Sequence, residues 1–272
     1  MIHGINNNIL YAVSHIETHF VKEGEQMKVQ YGTGFFVTKD TKLYFITNRH
    51  VLDITRKGAE FREYKLVGVF LDIRQYDKST HSVNVKKCEV KQFNLFEPDE
   101  DLDDVACLCN LKIEGEVAQV NTSFSFDMLA DTECIEQHIS VCDSLAIIGF
   151  PIVYDHLNNM PILRFGVVSS DSRLNYSNSD RYMGHVIAYE SFSTGGSSGS
   201  PVVALQKGFP LGNGLQASKD FYRPVKLIGI NAGCITLTHK LKPDVQYEEH
   251  QQVSYMFKAD IVRGMILEAE KQ

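Results

Sequence analysis

The chain has 272 residues, 43% hydrophobic and 22% charged, with a formal net charge of −7 at pH 7. This is the composition of one large or two ordinary folded domains, and it excludes low-complexity, fibrous and broadly basic nucleic-acid-binding chains. The sharpest basic run, Lys86-Lys87, is too short to bind nucleic acid, and no apolar run reaches the roughly 18 residues of a membrane span.

At the N-terminus, Asn6 to Asn8 and His15 interrupt the apolar residues, so no signal peptide is expected. Asn8 to His19 spaces Ile9, Leu10, Ala12, Val13 and Ile16 as a short helix running into a strand. Short apolar, β-rich runs divided by turn residues then follow: 34–37, 43–47, 66–71 and 105–108 in the first half, and 144–148, 165–168, 185–189, 201–205 and 225–230 in the second. Regular short runs of this kind predict an all-β barrel or sandwich. Residues from about 112 to 140 are mixed and acidic, which places a boundary between an N-terminal unit, 1–130, and a C-terminal unit, 131–272. Lys258 to Lys271 carries Ile261, Val262, Met265, Ile266 and Ala269 at helical spacing and predicts an amphipathic terminal helix. Six cysteines scattered through the chain lack the density of a disulfide scaffold and fit reduced thiols in a cytoplasmic protein. Cys107 and Cys109 share one face of a strand, but no second pair stands at ligand spacing, so no metal is expected.

The run Ser193-Thr194-Gly195-Gly196-Ser197-Ser198-Gly199-Ser200 reads alone as a flexible turn or as a nucleophile loop. The apolar strand Pro201 to Leu205 follows it directly, and a tight glycine turn clamped to a strand can hold a serine hydroxyl while aiming backbone N–H groups into one concavity. A serine hydroxyl needs a base, and the base needs an orienting acid. Among ten histidines, His50 stands where the strand 43–47 meets a turn. In the acidic run Asp101 to Asp104, Asp104 stands at the mouth of the strand Val105 to Leu108. The other two aspartates, Asp101 and Asp103, read as a solvated loop.

Together these segments resemble the trypsin-like, chymotrypsin-fold serine peptidases, including the bacterial group related to HtrA/DegP. Gly32-Thr33-Gly34-Phe35, Thr47-Asn48-Arg49-His50, Asp104-Val105-Ala106-Cys107-Leu108, Gly149-Phe150-Pro151 and Gly196-Ser197-Ser198-Gly199-Ser200-Pro201 carry the likeness. The order histidine, aspartate, serine separates it from α/β-hydrolases and subtilisins. The resemblance implies two packed antiparallel six-stranded β-barrels with the terminal helix appended. It also implies Ser198 as nucleophile, His50 as base, Asp104 as its orienting acid and the N–H groups of Gly196 and Ser198 as the oxyanion hole, with no cofactor.

The pattern departs from the family in several places. Val51, not a cysteine, follows His50, and Ser197 stands where an aspartate receives the freed N-terminus in vertebrate digestive relatives, so activation by that route is not expected. Phe192, flanked by Ser191 and Ser193, occupies the base of the primary pocket, so cleavage after Arg or Lys is not expected. Asn231, Ala232 and Gly233 would line the pocket entrance and pair with substrate backbone. Many relatives have a serine at the position of Asn231. The insertion Gln206 to Pro224 would overhang the site, and no PDZ domain is expected after Ser198. The expected partner is a protein or peptide substrate, with a protein activator if the loop is latent at rest. The alternative is a proteolytically silent binding module on the same fold.

Overall fold

Strand alternation sorts the buried apolar residues of the described structure into three large cores and a small cluster of Phe20, Ile54 and Tyr64. In the computed structural model, which describes residues 5–114, 120–208, 222–242 and 245–271, a 3-10 helix over Asn7–Ala12 leads into β1 (Val13–Val21). The expected N-terminal helix is thus confined to six residues, because from Val13 onward every second side chain is needed inside a barrel. β2 (Lys28–Lys39), β3 (Lys42–Thr47), β4 (Lys65–Asp77), β5 (Ser82–Phe96) and β6 (Ala106–Ile113) complete the first barrel, in the order β1-β4-β5-β6-β3-β2 with β1 closing on β2. A two-residue strand, β7 (Phe124–Ser125), adds to β2 in parallel.

The chain reaches the second barrel soon afterwards, where Leu129 bridges Leu227 and Ala130 N donates to Leu227 O at 2.8 Å. A short helix, α2 (Thr132–His138), is capped by the Asp131 carboxylate, which accepts from Cys134 N at 2.9 Å. Then β8 (Ser144–Gly149), β9 (Ile162–Val168), β10 (Val186–Glu190), β11 (Pro201–Ala204), β12 (Lys226–Lys242) and β13 (Val245–Lys258) close in the order β10-β13-β12-β11-β8-β9. The expected pair of six-stranded antiparallel barrels is therefore present. The terminal helix, α3 (Ala259–Ala269), is also present. The predicted overhang at Gln206 to Pro224 falls mainly on residues outside those described.

Continuous apolar runs mark strands buried on both faces. On β6, Ala106 and Leu108 point into the first barrel, whereas Cys107 and Cys109, with Val105 before them, join a core shared by both barrels. On β8, Leu145 and Ile147 fill the second barrel while Ala146 and Ile148 face that shared core. Val203, Ile230 and Phe257 complete it from the second barrel, and Val262, Met265 and Ile266 of α3 cover it. The two barrels are thus joined by apolar packing that extends to the last helix. Burial pushes the Cys107 thiol well above its ordinary range, which keeps it protonated and unreactive in the shared core.

One carboxylate beside this core, that of Asp103, behaves unlike the solvated loop expected of its segment. Asp103 is 2% exposed; its carboxylate accepts from His185 N at 2.7 Å and from His185 Nδ1 at 2.8 Å, across the barrel interface. Only Asp101 lies on the surface, held by Arg49 and Arg56. Because Ile266 is fully buried where α3 meets both barrels, Ile266→Ala should destabilise the chain by about 2–5 kcal/mol, read from the midpoint of chemical denaturation.

Candidate active site

One helical turn, α1 (Arg49–Leu52), carries His50. Val51 and Leu52, both buried in the first-barrel core, fix that turn from below. From the side, Gln30 Nε2 donates to His50 O at 2.8 Å. The Asp104 carboxylate receives His50 twice: Oδ1 accepts from the backbone N–H at 2.8 Å, and Oδ2 pairs with the imidazole Nδ1. An ionised carboxylate only accepts, so Nδ1 carries the proton and Nε2 is left with a free lone pair. Asp104 is itself positioned through its carbonyl, which accepts from Asn48 Nδ2 at 2.6 Å. Arg56 Nε lies 3.9 Å from Asp104 Oδ1. Burial first, and then the Asp104 charge, push the Tyr255 phenol above its usual range, which places Tyr255 in the field of that carboxylate.

The serine loop is clamped from three directions. From β2, Thr33 N donates to Ser198 O at 2.8 Å, and the Thr33 hydroxyl donates to Gly196 O at 2.7 Å while accepting from Phe150 N at 3.0 Å. From β12, Asn231 Nδ2 donates to Ser197 O at 2.7 Å and to Ser193 Oγ at 3.1 Å, while its Oδ1 accepts from Tyr189 Oη at 2.6 Å. The Asn231 backbone adds two bonds: its carbonyl accepts from Gly199 N and its N–H donates to Ser200 O. From the turn after β8, Ile152 N donates to Gly195 O at 3.1 Å.

Glycine is required at two positions of this loop. Gly196 and Gly199 have φ of +87° and +86°, in the region where side chains are strained. A Cβ at Gly196 would also meet Phe150 O, and one at Gly199 would meet Thr33 O. A third glycine, Gly149, makes room for a neighbour: a Cβ there would collide with Ser200 Oγ, the side chain that fills the space. Ser200 is fully buried and its hydroxyl has no hydrogen-bond partner among the described residues.

Among the described residues, neither Gly196 N–H nor Ser198 N–H donates a hydrogen bond, and Ser198 Oγ makes none. The peptide between Gly195 and Gly196 has its carbonyl fixed on Ile152 N, and a trans peptide directs the following N–H the opposite way. Two backbone N–H groups of the serine loop are thereby left unused among the described residues.

Of the pocket residues expected from sequence, Phe192 is 53% exposed, and its carbonyl accepts from Arg164 Nη1. Ala232 is nearly buried and Gly233 half-buried. A Cβ on Gly233 would lie 3.0 Å from Tyr255 Oη, so the ring of Tyr255 lies against it. The Asn231 side chain is fully buried beneath the serine loop. Sequence reading missed Thr33, Asn48, Tyr189 and Tyr255. For Thr33 a signal was present, in a threonine between two glycines on a strand preceding the histidine. The two tyrosines gave none.

A profile of the trypsin-like peptidase domain matches residues 32–212, more than half of the chain. The chain belongs to the trypsin-like peptidase family. Its fold is similar to the crystal structure of the Rv3671c protease from M. tuberculosis in its active form, with a TM-score of 0.50 at 15% identity over 95% of this chain and 81% of that one. An inactive mutant form of the same M. tuberculosis protein gives 0.50 at 14% identity, over 96% and 89%. No curated protein matches the chain.

Thr33→Val keeps the shape of the side chain and removes the hydroxyl that joins Gly196 O to Phe150 N. It should destabilise the fold by about 1–3 kcal/mol, the range for a buried polar group left without its partner, measured by denaturation beside the wild type.

Proposed function

We propose that this chain is a serine endopeptidase in which Ser198 attacks the substrate carbonyl, His50 transfers the proton and Asp104 orients His50. The observation that carries the reading is the double reception of His50 by Asp104 on a turn that Gln30 and Thr47 tie to the strand clamping the serine loop, because it leaves Nε2 as the imidazole's free base on that side of the junction. In the cycle, Nε2 takes the Ser198 hydroxyl proton as Oγ bonds to the carbonyl carbon. The resulting oxyanion takes the free N–H groups of Gly196 and Ser198, and His50 returns the proton to the departing amine. Water repeats the sequence on the acyl-enzyme and releases the acid. Donors already fixed in place need no reorganisation as charge develops.

The anchored Gly195 carbonyl supports an oxyanion hole that stands formed at rest, without a protein activator. The acyl half of the substrate pairs as an added strand beside Asn231 to Gly233. With Phe192 at the base of the primary pocket and no acid beside it, a basic residue before the scissile bond has no counter-charge. All six cysteines carry free thiols, which supports a reducing, cytoplasmic setting.

Labelling with a fluorophosphonate probe tests the nucleophile. The wild-type chain should label and Ser198→Ala should not; labelling that survives the substitution would remove Ser198 from its role, and no labelling of either chain would favour a silent binding module. Asp104→Asn should lower turnover of a cleaved peptide about 10⁴-fold, through loss of the correct imidazole tautomer and of the charge that stabilises imidazolium. Peptide-library profiling should find no preference for Arg or Lys before the cut.

A further inference from the structure

A cavity of about 1170 Å³ does not lie on the Asn231–Gly233 side of the serine. It runs from Gly195 and Gly196 along the outer face of the first barrel, between β1–β2 on one wall and the turn following β8 on the other. Its placement relative to the reaction follows from the clamps on the serine loop. β12 holds that loop from one side through Asn231, and Thr33 of β2 holds it from the other. The cavity is lined by the residues just before Thr33 on β2, Lys28 to Tyr31. A chain pairing with β12 on its acyl half and crossing Ser198 therefore leaves toward this groove on its amine half. A volume above the roughly 300–1,000 Å³ of small-molecule sites suits several residues of an extended chain.

The chemistry of the walls is uneven. Both acids in the groove are already satisfied: Glu17 pairs with Lys87 at 2.7 Å and with His19 at 2.6 Å, and Asp72 accepts from Asn159 at 2.9 Å and faces His15 at 3.4 Å. Two cations have no such balance. Lys28 holds its ammonium 5.7 Å from the Phe61 ring centroid and 5.4 Å from that of Tyr64, and neither Lys28 nor Lys57 has a carboxylate within 4 Å among the described residues. Loss of solvent holds the Lys57 ammonium below the ordinary lysine range, with Asp104 pulling the other way, so it is a partly dehydrated cation beside the catalytic acid. Between these lysines and the serine loop, Val29, Tyr31 and Ile152 present exposed apolar surface.

We propose that this groove binds the substrate segment on the amine side of the scissile bond and selects an acidic peptide, its carboxylates meeting Lys28 and Lys57 and an apolar or aromatic side chain lying on Val29, Tyr31 and Ile152. The assignment to the amine side rests on the peptidase reading above. The selectivity for acidic peptide rests on the groove alone.

The two can fail separately. Full-length Ser198→Ala is titrated by anisotropy with a fluorescein-labelled Gly/Ser peptide carrying glutamates and one phenylalanine, and with its Glu→Gln and Glu→Lys counterparts. The glutamate peptide should bind on the order of tenfold tighter than the glutamine one, the lysine one weakest, and Lys28→Gln/Lys57→Gln should abolish the difference. Equal binding of the three peptides, or a preference that survives the double substitution, overturns the proposal. In parallel, peptide pools are digested with the chain carrying Ser198. Asp and Glu should be enriched just after the new N-termini, and that enrichment should vanish with the two lysines. Enrichment only before the cut overturns the amine-side assignment. Fluorophosphonate labelling of the wild type reports on Ser198 without reaching the groove. No labelling of the wild type sinks the peptidase reading, and with it the amine-side assignment, and leaves acidic-peptide selection to the anisotropy result.

Discussion

A single hydroxyl, that of Thr33, is the point on which the two halves of the molecule agree. It donates to Gly196 O and accepts from Phe150 N, so one side chain of the first barrel sets both the serine loop and the turn that faces it. The arrangement depends on close approach, and small residues surround it: Gly32 and Gly34 flank the threonine, and Gly199 lies against its carbonyl. Thr47, one turn before His50, donates to that same carbonyl at 2.7 Å. The histidine-bearing turn and the serine-bearing loop are thereby referenced to one residue, which is how two separately closed barrels can present groups in register at their junction.

Asn231 supplies the complementary constraint from the second barrel. Its amide reaches Ser197 O and Ser193 Oγ, and Tyr189 Oη fixes which way round the amide lies by donating to Oδ1. A serine at this position, as in the relatives the sequence resembles, would be too short to make all three contacts. The difference first noticed as a departure from a pattern is a brace for the loop. Ser200 and Gly149 form a similar exchange, with the hydroxymethyl group of one occupying the space where the other lacks a side chain. In both cases the residue is explained by a partner distant in sequence.

Much of the fold was legible because its strands carry their burial in their composition. Val105 to Leu108, Leu145 to Ile148 and Pro201 to Ala204 read as unbroken apolar runs, and each proves to be buried on both faces, one toward a barrel and one toward the shared core. The terminal helix was legible from its spacing to within two residues at each end. What was not legible lacks a local signal. The hairpin of β12 and β13 extends through a mostly polar stretch with few apolar residues, and β1 pairs on both edges although histidines, a glutamate and a threonine punctuate it. Candidate site residues were readable where a motif surrounds them, as at His50, Asp104 and Ser198. Those recruited from other strands, Tyr189 and Tyr255, could be found only once the barrels were closed.

Asp103 and Asp104 show most directly why sequence reading stops where it does. The two are adjacent, and each carboxylate receives one histidine in the same manner, by its backbone N–H and its Nδ1: Asp104 receives His50, and Asp103 receives His185. Neighbours in an extended segment point to opposite sides, so one pair forms within the first barrel and the other spans to the second. The local chemistry is the same in both. What separates them is what lies beyond the histidine. His185 meets Tyr182 and solvent, whereas the His50 turn is tied through Gln30 and Thr47 to the strand that holds the serine loop. A histidine paired to a carboxylate becomes a base with a purpose only through the third group placed opposite it. Asp103 joins the two barrels beside Asp104, so a pair with the same local chemistry serves to hold the barrels together.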